Sequence, residues 1–386
     1  MPTERDHDLV LLGATGFTGQ LVAHHLAGRV GSRRWAIAGR DRQRLEQVAA
    51  AVAADGSPSP AIEVVDVGDL VGLLDLAGRT RVLATTVGPY ATLGELVVQA
   101  CVRQGTHYAD ITGEPGFVSL LRDRYDADAA RQGIKVVNCC GFDSVPHDLG
   151  VRFTVDHLPD DVPLTVRGYV SGQGRLSGGT ARSALQAIGS RALPRPDLDR
   201  PSGAEVKRRV AALPARLHRV EELGAWGVPM PTIDPVIVLR SARVLDGYGT
   251  AFRYGHFARV RRLPTVVAGV GALGVASALA SIGPTRSVLE RLLPDPGEGP
   301  DEETRARSSF SVTFLGRGGD QTVTTRVSGG DPGYGETAKM LGEAALSLAS
   351  DDGPDAAGVL TPAVGLGAPY LDRLIDQGLR FEVLSS

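Results

Sequence analysis

A glycine-rich segment near the start of the chain, residues 13–19, limits the possible folds more than any other feature. It reads Gly-Ala-Thr-Gly-Phe-Thr-Gly, follows a predicted strand at residues 8–12 that is apolar after Asp8, and leads into residues 20–26, which favour a helix. A strand, a glycine turn and a helix in this order place backbone N–H groups and the positive end of the helix dipole against a phosphate. We therefore predict a dinucleotide-binding turn, hereafter the glycine turn, with cofactor contacts from Gly13, Thr15, Gly16, Phe17, Thr18 and Gly19.

The end of the second predicted strand, residues 35–38, indicates which dinucleotide binds. Arg40 follows this strand about 20 residues after the glycine turn, where dinucleotide folds recognise the ribose. An arginine there can pair with the 2′-phosphate of NADP, whereas an acidic residue would bind the 2′-hydroxyl of NAD. Arg40 favours NADP(H), and the adjacent Asp41 leaves NAD(H) as the alternative. The third and fourth predicted strands are residues 61–66 and 81–87. At their ends, further cofactor contacts are predicted from Asp66, Val87, Gly88 and Pro89.

The alternation of predicted elements sets the fold class. Strands and helices alternate with short connections through about residue 140, a pattern typical of a doubly wound parallel sheet. Later in the chain, residues 162–170, 236–240 and 249–257 are predicted strands, and residues 308–314 and 321–327 flank a glycine-rich hairpin turn. The predicted class is α/β, with an N-terminal Rossmann-type doubly wound parallel sheet and a second α+β domain that contains an antiparallel sheet.

Charge and cysteine content exclude several classes of protein. The net charge of −3 at pH 7 gives no general attraction to nucleic acid. Three cysteines, Cys101, Cys139 and Cys140, have neither a disulfide pattern nor a zinc-like spacing, so we expect no bound metal and a reducing compartment. Residues 1–7 are polar and do not resemble a secretory signal, which favours the cytoplasm.

One apolar segment complicates that interpretation. Residues 263–283 contain no charged side chain, and their length approaches the roughly 20 residues that a membrane span requires. They consist largely of Ala, Gly, Val and Ser, so their free energy of transfer into lipid is weak. We expect a buried or interface helix here, with peripheral contact to a membrane surface and a true span as alternatives.

Polar residues after the strands are the candidates for chemistry, because ligands of open α/β sheets bind at the carboxyl ends of the strands. Tyr90 follows the fourth strand and could donate a proton, or pack at a domain seam. Asp143 follows the sixth strand and could contact substrate or cofactor, or cap a helix. His147 could relay a proton, because an imidazole titrates near neutral pH. These three are the predicted catalytic residues.

The predicted substrate contacts lie after the sixth strand and before a later helix. Ser144 belongs to the same turn as Asp143 and shares the alternative role of a helix cap. Residues 177–180 precede the helix-forming residues 181–188, whose free N–H groups could bind a carbonyl or carboxylate of the substrate. The predicted substrate-binding set is Ser144, Ser177, Gly179 and Thr180.

With these motifs, the chain resembles the saccharopine-dehydrogenase-like oxidoreductases, specifically the bacterial branch that includes the trans-acting enoyl reductases. Two specific motifs are Cys-Gly-Phe-Asp-Ser-Val-Pro at residues 140–146 and Gly-Asp-Pro-Gly-Tyr at residues 330–334. The other matching segments are residues 13–19, 38–40, 87–90, 108–114 and 177–180. Because these segments span the chain, the resemblance covers nearly its full length.

The resemblance implies a domain organisation. It assigns residues 1–145 to an NADP-binding Rossmann domain and residues 146–335 to an α+β substrate and dimerisation domain. Residues 336–386 become a C-terminal helical segment that returns to the Rossmann domain. A homodimer is compatible with this organisation.

The resemblance also implies an NADPH-dependent reductase, and an enoyl reductase above all. Its substrate would be an acyl or polyketide chain, either free or bound to a carrier protein. Two alternatives remain: a saccharopine-type dehydrogenase of imines or secondary amines, and a catalytically silent NADP-binding scaffold. The absence of a Tyr-x-x-x-Lys pair argues against ketone reduction by the short-chain mechanism.

Overall fold

The computed structural model describes residues 5–54, 56–173, 208–262, 264 and 299–385. Within these ranges the strands are β1 (His7–Leu12), β2 (Trp35–Gly39), β3 (Ala61–Val64), β4 (Thr80–Thr85), β5 (His107–Asp110), β6 (Lys135–Val137), β7 (Leu164–Gln173), β8 (Arg209–Ala212), β9 (His218–Val220), β10 (Ala225–Pro229), β11 (Ala251–Val260), β12 (Ser309–Gly318), β13 (Gln321–Gly329), β14 (Gly358–Leu360) and β15 (Arg380–Ser385). The helices are α1 (Phe17–Ala27), α2 (Arg42–Ala54), α3 (Leu70–Gly78), α4 (Tyr90–Leu93), α5 (Glu95–Gln104), α6 (Pro115–Arg131), α7 (Val145–Val155), α8 (Asp234–Val244), α9 (Glu302–Arg307), α10 (Gly335–Ser350) and α11 (Pro362–Asp376).

Two compact units divide the chain. The first consists of Met1–Val145 and Tyr334–Gly378, and the second of Pro146–Gly333 and Leu379–Ser386. The division after Val145 lies at the sequence-based boundary, and the division after Gly333 lies beside the one placed after residue 335. The last residues differ from the expectation, because they belong to the second unit, where β15 pairs with β13.

A parallel sheet forms the centre of the first unit. Its strand order among the described residues is β14-β6-β5-β4-β1-β2-β3, and the paired strands run parallel. Strand β2 is buried at every position, as is typical of a strand covered by helices on both faces. The predicted doubly wound parallel sheet is therefore confirmed. The short strand β14 adds a neighbour to β6 that sequence analysis did not predict.

Helix α10 anchors the C-terminal part of the first unit to α1, the helix that follows the glycine turn. The fully buried carboxylate of Glu343 on α10 accepts hydrogen bonds from His25 Nε2 at 2.9 Å and Arg29 Nε at 3.1 Å. Burial raises the pKa of Glu343, but the contacts with His25 and Arg29 outweigh burial and lower it. The neighbouring Gly342 is required by this contact, because an added Cβ would lie 2.5 Å from His25 Cδ2.

The second unit contains a mixed sheet. Its order is β15-β13-β12-β7-β11-β10-β9, with β8 paired to β11. Strand β11 runs parallel to β7 and β8, whereas the other pairs are antiparallel. The sheet is therefore mixed, and the expectation of an antiparallel sheet fails at the two parallel pairs that β11 makes. The predicted hairpin is confirmed, since Gly318 pairs with Gln321 and Gly319 takes a φ of 57° between them.

One predicted strand is wrong. Residues 236–240 lie inside α8, where Ile237, Val238 and Leu239 are all fully buried. An apolar run of this length has the same pattern in a buried strand and in a buried helix, so periodicity cannot separate them. The Asp-Pro pair at the first two positions of α8 is a helix-start signal that decides for the helix.

We predict that Glu343→Gln destabilises the first unit by roughly 1–3 kcal/mol at pH 7, because His25 Nε2 and the Arg29 guanidinium lose a charged acceptor. The pKa of Glu343 is lowered from 4.5, so its stabilising effect is present above that pH and is lost as the pH falls through the folded-state value. Urea unfolding of wild type and variant at several pH values measures the difference. The exposed Glu46 on α2 provides the control Glu46→Gln, for which we expect no pH-dependent difference. A wild-type advantage that persists unchanged in acid would contradict this assignment.

Candidate cofactor and substrate site

The glycine turn is built so closely that two of its positions admit only glycine. Gly13 has a φ of 90°, and an added Cβ would lie 2.7 Å from Val87 Cγ2. At Gly19 an added Cβ would lie 2.1 Å from the carbonyl oxygen of Gly13. Gly16 is different, since an added Cβ would meet that oxygen at 3.5 Å, an ordinary contact. Gly13 and Gly19 thus form the turn, and Gly16 leaves room for a ligand.

The first turn of α1 offers the expected phosphate site. Gly16 is the N-cap residue of α1 and has no side chain with which to cap it. A phosphate at this end of the helix would meet backbone N–H groups and the positive end of the helix dipole. Thr15 and Thr18 are half-buried beside it. The ring of Phe17 packs edge-on against the ring of Tyr334, with 4.8 Å between the ring centroids, so Tyr334 supports the start of this helix.

The two residues after β2 have different environments. Arg40 is exposed at the carboxyl end of the strand. The Asp41 carboxylate accepts a hydrogen bond from the backbone N–H of Arg44 at 3.1 Å, so it caps α2. Because Asp41 is used in this way, Arg40 is the side chain after β2 that suits recognition of a 2′-phosphate.

The loop after β4 lies against the glycine turn. The hydroxyl of Thr86 donates to the carbonyl oxygen of Gly13 at 3.1 Å, and Val87 occupies the space beside Gly13 that a Cβ would fill. Gly88 and Pro89 follow and are exposed. The structure thus brings Val87 to the glycine turn, and the predicted residues Gly88 and Pro89 directly follow it in the chain. Asp66, after β3, is exposed and accepts a hydrogen bond from Gly68 N at 2.8 Å within its own turn.

Tyr90, a predicted catalytic residue, is buried and hydrogen-bonded to backbone groups. Its side chain is buried, and its hydroxyl donates to the carbonyl oxygen of Thr85 at 3.1 Å and accepts from Ile111 N at 3.4 Å. Burial raises the pKa of Tyr90 well above its usual value. Both hydrogen bonds connect loops at the carboxyl edge of the sheet. These contacts favour a structural role for Tyr90 over proton donation.

A buried carboxylate, Asp110, holds the same edge together. Asp110 at the end of β5 accepts hydrogen bonds from Tyr108 Oη, Asn138 Nδ2, Cys139 N and Thr112 N at 2.8–3.1 Å. Burial raises its pKa to about 6, against the opposing effect of these four donors. Cys139 has a φ of 63°, a conformation uncommon for a residue with a side chain. Asp110 thereby fixes the loop that leads from β6 to Asp143.

Asp143 and Ser144 lie at the end of that loop. An added Cβ on Gly113 would lie 3.1 Å from Asp143 Oδ2, so this half-buried carboxylate lies beside the loop that follows β5. Ser144 is fully buried, and its hydroxyl makes no hydrogen bond with the residues that the structure describes. Thr337 on α10 supports the loop, because its hydroxyl accepts a hydrogen bond from Phe142 N at 3.2 Å.

His147 belongs to the second unit, in a group that we call the His–Asp–His cluster (His147, Asp234 and His256). His147 Nδ1 lies 2.7 Å from Asp234 Oδ1, and His256 Nε2 lies 3.5 Å from Asp234 Oδ2. Burial alone would raise the pKa of Asp234, but the two imidazoles outweigh it and lower the pKa to about 2. Burial lowers the pKa of His256 to about 4.

Sequence analysis predicted only one member of this cluster. Asp234 and His256 lie far from His147 in the sequence and come from different elements, α8 and β11, so no short motif links them. The one local signal near Asp234 is the Asp-Pro helix start at residues 234–235, and the apolar residues 236–240 that follow it have the pattern of a buried strand.

Several predicted features fall outside the described residues. These are the substrate candidates Ser177, Gly179 and Thr180, together with nearly all of the apolar segment 263–283. Within the described ranges, no helix has the combination of length and apolar character that crossing a membrane requires.

Comparison with known proteins identifies the family. Residues 9–136 match the model of the saccharopine dehydrogenase NADP binding domain. The trans-acting enoyl reductase of Mycobacterium tuberculosis is 33% identical over 422 aligned positions, which cover 98% of each chain. The chain belongs to the trans-acting enoyl reductase family. The trans-acting enoyl reductase of Mycobacterium leprae is 33% identical over 432 positions, again with 98% of each chain covered.

The fold of this family member also occurs in a solved structure. This structure is the apo histidine-tagged saccharopine dehydrogenase (L-Glu forming) from Saccharomyces cerevisiae. The superposition covers 98% of this chain and 99% of the yeast chain, with a TM-score of 0.57. Its sequence identity is 16%, so the likeness concerns the fold. Together with the NADP-binding domain, the family confirms the predicted oxidoreductase and its cofactor, NADP(H).

Two substitutions in the glycine turn should have different effects in this enoyl reductase family member. We expect Gly16→Ala to fold normally but to bind NADPH about tenfold or more weakly, because the new methyl group occupies space that the pyrophosphate needs. Gly19→Ala should disturb the turn itself, since its Cβ would lie 2.1 Å from a carbonyl oxygen. Fluorescence titration with NADPH and thermal unfolding measure the two effects. Equal binding by wild type and Gly16→Ala would contradict the proposed phosphate position.

Arg40 makes a second prediction. Arg40→Ala should weaken NADPH binding by about 10- to 100-fold, because a charge-assisted hydrogen bond to the 2′-phosphate is lost, while NADH binding stays nearly unchanged. The control is Arg103→Ala, which removes one exposed positive charge at the end of α5. Titration of wild type and both variants with NADPH and with NADH measures the two affinities. A parallel loss for NADPH and NADH would show that Arg40 does not distinguish them.

Proposed function

We propose that this protein is an NADPH-dependent enoyl reductase that reduces a carbon–carbon double bond in an acyl or polyketide chain. The observation that carries the proposal is similarity over 98% of both chains to relatives named trans-acting enoyl reductases. The cradle around Gly16 and the exposed Arg40 support it, because they provide the phosphate contacts that NADPH requires.

The chain's own residues would position the cofactor. When bound, NADPH supplies a hydride, which the β-carbon of an unsaturated acyl chain accepts. The first turn of α1 would hold the pyrophosphate, and Arg40 would pair with the 2′-phosphate. The backbone of residues 87–89, of which Val87 lies against the glycine turn, would line the nicotinamide ribose. Holding the reacting atoms close together supplies much of the rate enhancement in hydride transfer.

Protonation of the α-carbon completes the reduction. We propose that Asp143 orients the water that donates this proton, because its half-buried carboxylate lies at the carboxyl edge of the sheet. The buried hydroxyl of Ser144 is proposed to hydrogen-bond the acyl carbonyl oxygen. Ser177, Gly179 and Thr180 remain predicted substrate contacts. His147 is almost fully buried beside Asp234, and we assign it to the cluster rather than to this proton.

The substrate is proposed to be an acyl chain on a carrier protein. The relatives' name, trans-acting, fits a reductase that works on a chain held by another protein. A homodimer, and peripheral contact of residues 263–283 with a membrane surface, remain predictions.

The acceptor can be tested by following NADPH absorbance with different substrates. We expect oxidation of NADPH with an α,β-unsaturated acyl thioester and none with the imine formed from an amino acid and a keto acid. Oxidation with the imine alone would support the saccharopine-type alternative. Tight NADPH binding without oxidation by either acceptor would support the silent scaffold and contradict the proposal.

Asp143 provides the test of the proton step. Asp143→Asn should lower kcat about 10- to 1,000-fold, in the range of general acid–base effects, without weakening NADPH binding. Asp372→Asn, which changes an exposed carboxylate on α11, is the matched control and should retain full activity. Steady-state kinetics and nucleotide titration are measured on the same preparations. Unchanged kcat in Asp143→Asn would remove this residue from the mechanism.

A further inference from the structure

The His–Asp–His cluster has features that the proposed reduction does not use. Its three side chains come from α7, α8 and β11, and each is at most 5% exposed. Each side chain offers a ligand atom, and the three atoms lie within 4.8 Å of one another. Burial of two imidazoles and a carboxylate is costly unless a proton or a cation joins them.

His256 shows why a cation fits better than a hydrogen bond. Its Nδ1 lies 3.2 Å from the hydroxyl of the buried Tyr254, which leaves Nε2 directed toward Asp234. The distance from Nε2 to Asp234 Oδ2 is 3.5 Å, longer than an ordinary N–H···O bond, and Nε2 makes no hydrogen bond with the described residues. If Nδ1 donates to Tyr254, two acceptors face each other across this gap, and a cation between them removes the repulsion.

The donor set and its spacing match a zinc-class metal ion. Zinc bonds to histidine nitrogen and carboxylate oxygen are about 2.0–2.2 Å long, so two ligand atoms of a tetrahedral site lie about 3.3 Å apart. The separations of Asp234 from the two histidines, 2.7 and 3.5 Å, lie on either side of this value, and the two histidine nitrogens lie within 4.8 Å of each other. The 2.7 Å separation is also a hydrogen-bond distance, so the longer one carries the argument for a cation. Metal-binding histidines usually hydrogen-bond through the other ring nitrogen, as His256 does with Tyr254.

We propose that His147 Nδ1, Asp234 and His256 Nε2 bind one divalent cation of the zinc class in the second unit, with water completing the coordination. The ion ties α7 and α8 to β11 and thereby stabilises this unit. The proposal is independent of enoyl reduction, because it concerns metal content and stability. It revises the expectation of no bound metal, which rested on cysteine spacing alone.

The test compares metal content in wild type and matched variants. Untagged protein is dialysed against a chelator, refilled with zinc chloride, passed over a desalting column and analysed by mass spectrometry of the metals. Wild type should retain about one zinc ion per chain, as a three-ligand site predicts, whereas Asp234→Asn and His256→Gln should retain almost none. The control is His218→Gln, also in the second unit, where His218 contacts Tyr169 Oη at 2.9 Å. It should retain zinc as wild type does.

Two further readouts keep the proposal testable if a variant folds poorly. Cobalt chloride added to chelator-treated wild type should produce the visible absorption of a tetrahedral cobalt site, and zinc chloride should abolish it. Zinc should also raise the melting temperature of the wild type. Failure of wild type to retain either metal, or equal retention by the Asp234→Asn variant, would overturn the proposal and leave a metal-free cluster joined by protons.

Discussion

The close approach of Gly19 to the carbonyl oxygen of Gly13 is the contact on which the cofactor site depends. A Cβ at position 19 would lie only 2.1 Å from that oxygen, so no residue other than glycine lets α1 start so near the end of β1. This packing directs the first turn of α1 toward the carboxyl edge of the sheet. It also leaves Gly16 at the N-cap, where a phosphate can approach without a side chain in the way.

The C-terminal part of the first unit stabilises this arrangement through contacts with α1. Helix α10 buries Glu343 against His25 and Arg29 of α1, and Tyr334, just before α10, packs on Phe17. Thr337 holds the loop that carries Asp143. Residues far apart in sequence therefore position both the phosphate end and the proposed proton end of the site. Loss of the Glu343 contacts should loosen α1 before it affects the sheet.

Much of the first unit could be predicted because its signals are local. The glycine turn, helix α2 and the alternation of strands and helices along the chain follow from short-range patterns and the chemistry of glycine. Strand β14 could not be predicted in this way, because three residues carry no periodicity and its place depends on the distant β6. Helix α8 was misinterpreted because a buried helix and a buried strand are equally apolar. The His–Asp–His cluster was missed because its members meet only through the tertiary fold.

The most direct measurement of the central claim follows the hydride itself. Wild-type enzyme would be incubated with an α,β-unsaturated acyl thioester and NADPH deuterated at the transferable position, and the product would be analysed by mass spectrometry and NMR. We predict one deuterium at the β-carbon and a solvent-derived hydrogen at the α-carbon. A product without deuterium, or no reduced product although NADPH binds, would contradict it.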